Sequence, residues 1–273
     1  MDIRFHHRPR GFPLIDDLRL RAQAGTEWDA VVAYAVEHGL GGIEALSGIP
    51  GSAGATPVQN VGAYGAEIAD VLTRVRLYNR ETGADEWVDA SSLDLAYRYS
   101  NLKFTSRAVV LEIELQLAET DLSIPLRHLG GERVPLAEAR ESVLATRRAK
   151  GMVLDAADHD TWSAGSFFTN PVVPSALADA IEAQVGEEHM PRFPAGDGQE
   201  KLSAAWLIER AGCHRGFPGD DAPARLSTKH TLALTNRGNA SAADIVDLAR
   251  RVQAQVRDAF GVELHPEPVW VGL

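Results

Sequence analysis

Between residues 48 and 65 the chain reads Gly48-Ile-Pro-Gly-Ser-Ala-Gly-Ala-Thr-Pro-Val-Gln-Asn-Val-Gly-Ala-Tyr-Gly65, a run whose side chains are nearly all small or able to hydrogen-bond. A backbone of this kind can lie against a flat, charged ligand. Gly48, Gly51, Gly54, Gly62 and Gly65 permit positive φ and close approach, so successive N–H groups can converge on an anion such as a pyrophosphate. The run is not a Walker A loop, because no Gly-Lys-Ser/Thr follows, and it holds no Gly-x-Gly-x-x-Gly opening a long helix. A Gly/Pro-rich surface connection would have the same composition. Gln59-Asn60 favours a binding loop, because two adjacent amides in a segment otherwise stripped of side chains supply directed hydrogen bonds.

Three other segments each offer one chemical group. In Tyr97-Arg98-Tyr99-Ser100 an arginine flanked by aromatics can present a bidentate donor to a carboxylate, although a solvated or ion-paired arginine reads the same way. Ser166 follows Gly165 and precedes two large apolar residues that could anchor the turn and aim its hydroxyl. The segment is not the Gly-x-Ser-x-Gly elbow of hydrolases, and a helix-capping serine is the alternative. In His265-Pro266-Glu267-Pro268 the prolines bias His265 and Glu267 toward extended geometry, which suits either a positioned acid or an exposed glutamate on a sheet edge. Asp155, Asp158, His159 and Asp160 lack the central glycine and terminal glutamate of an EF-hand and read as a solvated acidic loop, so no metal is expected.

These groups need a scaffold. Thr26 with Asp29 forms a capping-box variant ahead of Val31, Val32, Ala35 and Val36, which predicts a short helix ending at Gly39. Val71–Tyr78 and Glu86–Val88 bracket a polar connection and predict a hairpin. Val109, Leu111, Ile113, Leu115 and Leu117 alternate with residues that include Glu112 and Glu114, the clearest strand of the chain. Pro135 opens a helix running to Gly151, with Arg147, Arg148 and Lys150 near its end. The later part predicts a helix over Ser203–Ala211, a strand over Leu232–Thr235, a surface loop over Glu187–Gln199, and a long helix after the capping box Ser241/Asp244. The fold class is α+β: a mainly β first domain over 1–148 and a smaller α+β domain over 149–273.

A net charge of −11 with scattered arginines disfavours nucleic acid and acidic membrane surfaces. No apolar run is long enough for a membrane span or signal peptide, and the single cysteine, Cys213, excludes an internal disulfide, so a cytoplasmic protein with a small, locally clamped ligand is expected.

From about Leu18 onward these motifs closely resemble the UDP-N-acetylenolpyruvoylglucosamine reductase (MurB) family: Gly41-Gly-Ile-Glu-Ala-Leu-Ser-Gly-Ile-Pro-Gly51, Pro57-Val-Gln-Asn-Val-Gly-Ala-Tyr-Gly65, Tyr97-Arg98, Gly165-Ser-Phe-Phe-Thr-Asn-Pro171 and Pro266-Glu267. The resemblance implies a two-lobed FAD-binding domain of the vanillyl-alcohol-oxidase type followed by a substrate lobe. It implies FAD as cofactor, NADPH as reductant, and reduction of UDP-N-acetylglucosamine enolpyruvate to UDP-N-acetylmuramate for peptidoglycan, by a monomer. Carried over by motif, the catalytic residues are Ser166 as proton donor, with Arg98 and a protonated Glu267 stabilising enolate-like charge. The cofactor-binding residues are Gly51, Ser52, Gly54, Thr56, Gln59, Asn60, Gly62, Ala63 and Tyr64. The substrate-binding residues are Tyr64, Lys150, Asn170 and His230, the last at a position that is often glutamine. Two departures from the pattern stand out. Family members begin with a Gly-Gly-Gly-Ser-Asn-type loop around the FAD pyrophosphate; none occurs here and residues 1–17 match nothing in the pattern, so the flavin lobe is expected to be N-terminally incomplete. Some members also close the substrate site with a mid-chain tyrosine, where this chain has Leu126-Arg127-His128-Leu129. A related FAD-dependent oxidase, and a truncated remnant that binds nucleotide sugar or a partner without turnover, are the rival readings.

Overall fold

The computed structural model describes residues 3–5, 18–186 and 189–272, with the backbone alone for 3–5. The expectation that residues 1–17 fall outside the family pattern therefore lies almost wholly outside the described residues. The chain divides into two compact units, Met1–Arg148 and Ala149–Leu273.

In order, the first unit contains β1 (Ile3–Phe5), β2 (Arg19–Gln23), α1 (Trp28–Glu37), β3 (Leu40–Gly41), β4 (Gly62–Ala63), β5 (Ala66–Glu67), β6 (Leu72–Asn79), β7 (Asp85–Asp89), β8 (Ala108–Gln116), β9 (Ala118–Glu119) and α2 (Leu136–Ala149). A five-stranded antiparallel sheet, in the order β1-β2-β8-β6-β7, forms its framework. The expected hairpin is β6–β7. Side-chain alternation points Leu20, Ala22, Val75, Leu77, Ile113 and Leu115 into one core with Trp28, Val31, Val32 and Ala35 of α1. The strand reading of β8 holds, but its inward set is buried only in the second half; Val109 is exposed.

The opposite face carries a buried charge that alternation alone did not predict. Glu114 is 1% exposed because Arg21 and Arg74 reach it at 2.7 and 2.9 Å, and both guanidiniums lie over the Trp87 ring. A register shift between Leu72 and Arg74 leaves Thr73 out of the ladder, and its hydroxyl bonds the same carboxylate at 3.1 Å. Burial would raise the Glu114 pKa, but hydrogen bonds from Arg74 and Arg21 outweigh it and hold the group at about 2 against an ordinary 4.5. With its folded pKa depressed, Glu114 stabilises the fold in full above pH 4.5 and loses that contribution as pH falls toward 2, a linkage of about 3 kcal/mol. Glu114→Gln, which leaves two arginines facing a neutral amide, should cost about 3–5 kcal/mol at neutral pH. Urea midpoints of the two proteins should differ widely at pH 7 and converge near pH 3; a gap independent of pH would refute the assignment.

The predicted capping box at Thr26 does not form. The α1 helix starts at Trp28 with Glu27 in the cap position and no side-chain cap, and the Thr26 hydroxyl is buried without a partner. Asp29 is engaged elsewhere: it accepts two hydrogen bonds from Arg140 of α2 and one from the Gly48 N–H. Burial pushes the Asp29 pKa up, and those hydrogen bonds more than reverse the effect.

The second unit contains β10 (Val172–Pro174), α3 (Ser175–Val185), β11 (Arg192–Pro194), β12 (Gln199–Leu202), α4 (Ala204–Arg210), β13 (Ala224–Leu226), β14 (Leu234–Asn236) and α5 (Ala242–Phe260). The capping box Ser241/Asp244 and the left-handed Gly261 bound α5 as expected, and Leu248, Ala249, Val252, Val256 and Phe260 pack inward from it. The strand expected at Leu232–Thr235 begins two residues later. The surface loop expected over Glu187–Gln199 is instead interrupted by β11, which pairs with β12 in the sheet β10-β12-β11. Arg192 locks this hairpin to α3 through Glu200, Glu182 and Asp179. The acidic loop is also not simply solvated: Asp160 is buried and accepts hydrogen bonds from the Thr228 N–H and from Arg237.

Candidate active site

The run 48–65 in the first unit is folded back on the protein rather than open along its length. Its first part lies beside residues 24–28: the Trp28 N–H donates to the Gly51 carbonyl, and the N–H groups of Ala53 and Gly54 donate to Thr26 and Ala24. A Cβ on Gly54 would come within 2.4 Å of the Ala24 Cβ, so this glycine serves close approach. Of the five glycines, Gly48, Gly51 and Gly65 take positive φ, whereas Gly54 and Gly62 do not. The amides of Ala55, Thr56, Val58, Asn60 and Val61 also bond within the loop, and the Thr56 hydroxyl bonds the Ala53 carbonyl. The expected cradle of successive amides is therefore not formed by residues 53–56, whose N–H groups all point into the protein. A face remains that suits a flat ligand: Gly51 is exposed, a Cβ there would meet nothing within 4 Å, and Ser52, Gln59 and Gly62 to Tyr64 are half-exposed. Gly62 to Glu67 form a hairpin, β4–β5, turning on Tyr64 and Gly65, both at positive φ.

Arg98 is gripped by this hairpin. Its guanidinium donates to the Gly62 carbonyl at 2.7 Å, and a Cβ on Gly62 would stand 3.2 Å from Nη1 of Arg98. The aromatic neighbour Tyr97 lies under the guanidinium at 5.1 Å. Ala96 and Tyr99 exchange backbone hydrogen bonds, so Tyr97 and Arg98 form the tip of a tight turn. The same turn is tied to the run 48–65 by Asn60 to the Ala96 carbonyl and by the buried Ser100 hydroxyl to the Val58 carbonyl at 2.6 Å. Asn60, Tyr64 and Arg98 are three of the few non-glycine residues at positive φ among the described residues, and all were named from sequence. Strained backbone of this kind persists where the surroundings over-determine it and clusters at working sites. Tyr64 packs edge-on against His128, from the segment that replaces the family's mid-chain tyrosine, and burial raises its pKa so that the phenol stays a donor.

In the second unit, Ser166, Glu267 and His230 are brought together by backbone pairing. Phe167 donates its N–H to the Leu232 carbonyl and accepts from the Glu267 N–H, each at 2.8 Å, while the Thr169 N–H donates to His265. The Ser166 strand thus lies between the turn that carries His230 and the Pro-Glu-Pro stretch. Ser166 caps no helix, it is half-exposed, and its hydroxyl makes no hydrogen bond among the described residues. Burial, with the positive charges of Lys150 and Arg215, lowers the His230 pKa to about 4, so the ring is neutral at neutral pH. Arg215 was not identified from sequence; only its distance to His230 in space marks it. Asn170 is turned inward: its side-chain oxygen accepts the Ala204 N–H at 3.0 Å and helps start α4. An apolar cavity of about 380 Å³, lined by Leu154, Trp162, Phe167, Leu234 and Ile245 among others, lies behind Phe167 and includes none of the named residues. No group of three or more His, Cys, Asp or Glu able to hold a metal occurs among the described residues.

Chemically, the first unit offers a fixed guanidinium beside a small-residue face, and the second offers a free hydroxyl, a carboxyl and a neutral imidazole on adjacent backbone segments. Comparison with known proteins agrees with this division. Residues 10–86 match the family described as FAD binding domain, and residues 156–271 match UDP-N-acetylenolpyruvoylglucosamine reductase, C-terminal domain. The first match begins ahead of Leu18, where the motif resemblance starts. UDP-N-acetylenolpyruvoylglucosamine reductase 2 of Corynebacterium glutamicum is 64% identical over 95% of this chain and 74% of its own length. The reductase of Corynebacterium diphtheriae is 61% identical over 95% of this chain and 71% of its own length. A crystal structure of the reductase from Thermus caldophilus superposes with a TM-score of 0.62 at 25% identity, covering 93% of this chain and 73% of that one. The chain belongs to the UDP-N-acetylenolpyruvoylglucosamine reductase family.

Proposed function

We propose that the chain reduces UDP-N-acetylglucosamine enolpyruvate to UDP-N-acetylmuramate, as an FAD-dependent oxidoreductase using NADPH, in the cytoplasm and as a monomer. The observation that carries the reading is the pairing of the Ser166 and Glu267 segments through Phe167, within a region that matches the reductase C-terminal domain. Gly51, Ser52, Gln59, Gly62, Ala63 and Tyr64 form the face that would hold FAD. When bound, FAD accepts a hydride equivalent from NADPH and passes it on to the substrate alkene.

The chain's own groups handle charge and proton. Adding hydride to the alkene carbon distal to the carboxylate leaves negative charge on the neighbouring carbon, delocalised into that carboxylate. Arg98, always cationic and fixed by Gly62, stabilises it, and Glu267 in its protonated form donates a hydrogen bond to the same oxygens. Ser166 delivers the proton that completes the saturated lactyl ether. Neutral His230, with Lys150 and Arg215 near it, binds the sugar nucleotide without adding a titrating charge above pH 5. Asn170, bonded to Ala204, supports the substrate-binding segment.

Purified chain supplied with FAD should take up a flavin absorbance band that NADPH bleaches under anaerobic conditions and that UDP-N-acetylglucosamine enolpyruvate restores. Bleaching without restoration by substrate, but with rapid restoration by oxygen, would favour an oxidase. Failure to take up FAD at all would favour a non-catalytic binding protein.

A further inference from the structure

Asn60 was expected to contact the cofactor, yet its amide is fully occupied within the protein. It is 1% exposed, its side-chain oxygen accepts the Ala69 N–H at 3.0 Å, and its nitrogen donates to a Glu67 carboxylate oxygen at 2.8 Å and to the Ala96 carbonyl at 3.1 Å. The orientation of the amide is fixed by this set, since both nitrogen partners can only accept and the oxygen partner can only donate. Two of those bonds reach β5 and the residue beyond it, and the third reaches the turn that presents Arg98. Arg98 is then held at both ends: its turn by Asn60 through Ala96, and its guanidinium by the carbonyl of Gly62, two residues after Asn60. Lys103 adds a bond to the Arg98 carbonyl at 2.9 Å.

We propose that Asn60 is a positioning residue for Arg98, the strut between the β4–β5 hairpin and the Tyr97–Arg98 turn, and not a ligand of the cofactor. The left-handed backbone of Asn60, φ 45°, supports this, because it aims one side chain at both segments at once. Asparagine is the ordinary residue that tolerates such a conformation while carrying both donors and an acceptor. The inference rests on the role given to Arg98 above, and displacement of an aligned group by about 1 Å is enough to cost on the order of 100-fold in rate.

Asn60→Asp keeps the shape but replaces both donors with an acceptor facing Ala96 and the Glu67 carboxylate. In the otherwise unchanged chain, the rate at which substrate reoxidises the NADPH-reduced flavin should fall about 10- to 100-fold. In an Arg98→Ala background the same substitution should change that rate by no more than about twofold, because the group it positions is gone. Equal losses in both backgrounds, or a tenfold weaker FAD affinity with no coupling to Arg98, would overturn the proposal and return Asn60 to the cofactor set. If thermal unfolding shows Asn60→Asp to be misfolded, Ser100→Ala, which removes the second tie to the same turn at Val58, decides the question through the same double-mutant cycle. Absence of any loss in Arg98→Ala itself strikes the Arg98 role, and with it the Asn60 role, whereas additivity strikes Asn60 alone.

Discussion

Replacing Ser166 with alanine should leave flavin reduction by NADPH within about twofold of the unmodified rate and slow reoxidation by the enolpyruvyl sugar nucleotide about 1000-fold, the range expected when a positioned proton donor is lost. The asymmetry follows from the chemistry. Reduction by NADPH transfers a hydride and calls for no proton at the substrate carbon, whereas reoxidation leaves a carbanion that must be protonated before product can leave. The structure makes the serine suitable for that task alone: it is half-exposed, it caps no helix, and its hydroxyl has no other hydrogen bond among the described residues. For the same reason alanine should be tolerated structurally, with stability within about 0.5 kcal/mol of the original. The segment is set by main-chain bonds at Phe167 to Leu232 and Glu267, which no side-chain change at residue 166 removes. Rapid-mixing absorbance spectroscopy of the two half-reactions separates the outcomes, and an unchanged reoxidation rate would sink the role given to Ser166.

The parts of the fold that could be read from sequence are those fixed by neighbours along the chain. The α5 helix was legible because its capping box, apolar spacing and terminal Gly261 lie within one segment. The β6–β7 hairpin was legible because its connection is short. The α1 cap was misread because Asp29 is claimed by Arg140, 111 residues away, and no local rule weighs that competition. The α3 helix went unnoticed because it begins at a serine directly after Pro174 and buries only Ala178 and Ile181, too few positions to declare a period. Glu114 looked like an outward residue until Arg21, Arg74 and Trp87 closed over it.

The candidate residues were legible as motifs, but their tasks were not. Asn60 and Thr56 sit in the expected loop, yet their polar atoms are consumed inside the protein, and Asn170 holds a helix start. What decides each case is a backbone carbonyl or amide at Ala96, Ala53 or Ala204, and main-chain groups leave no mark in a sequence. The positive φ of Tyr64 and Arg98 is hidden for the same reason, since neither residue type advertises it.

The arginine yields the second large effect. Arg98→Ala should slow reoxidation by substrate by about 100- to 1000-fold, the loss found when one fixed electrostatic donor to a developing oxyanion is removed. Arg98→Lys should recover no more than about tenfold of that, although it restores the charge. The guanidinium makes two demands at once: one nitrogen is bonded to the Gly62 carbonyl at 2.7 Å while the rest of the planar fork remains to face a carboxylate. A lysine ammonium is a single point and can satisfy the carbonyl or the ligand, but not both in one geometry. The left-handed backbone at φ 54° and the tight turn between Ala96 and Tyr99 keep the side-chain root fixed, so a shorter or differently shaped cation cannot recover by shifting the loop. The loss should therefore appear in the rate constant at saturating substrate more than in the concentration needed for half-saturation, because charge develops after binding. A lysine variant with the full rate would show that charge alone suffices and that the grip of Gly62 on Arg98 has no part in the reaction.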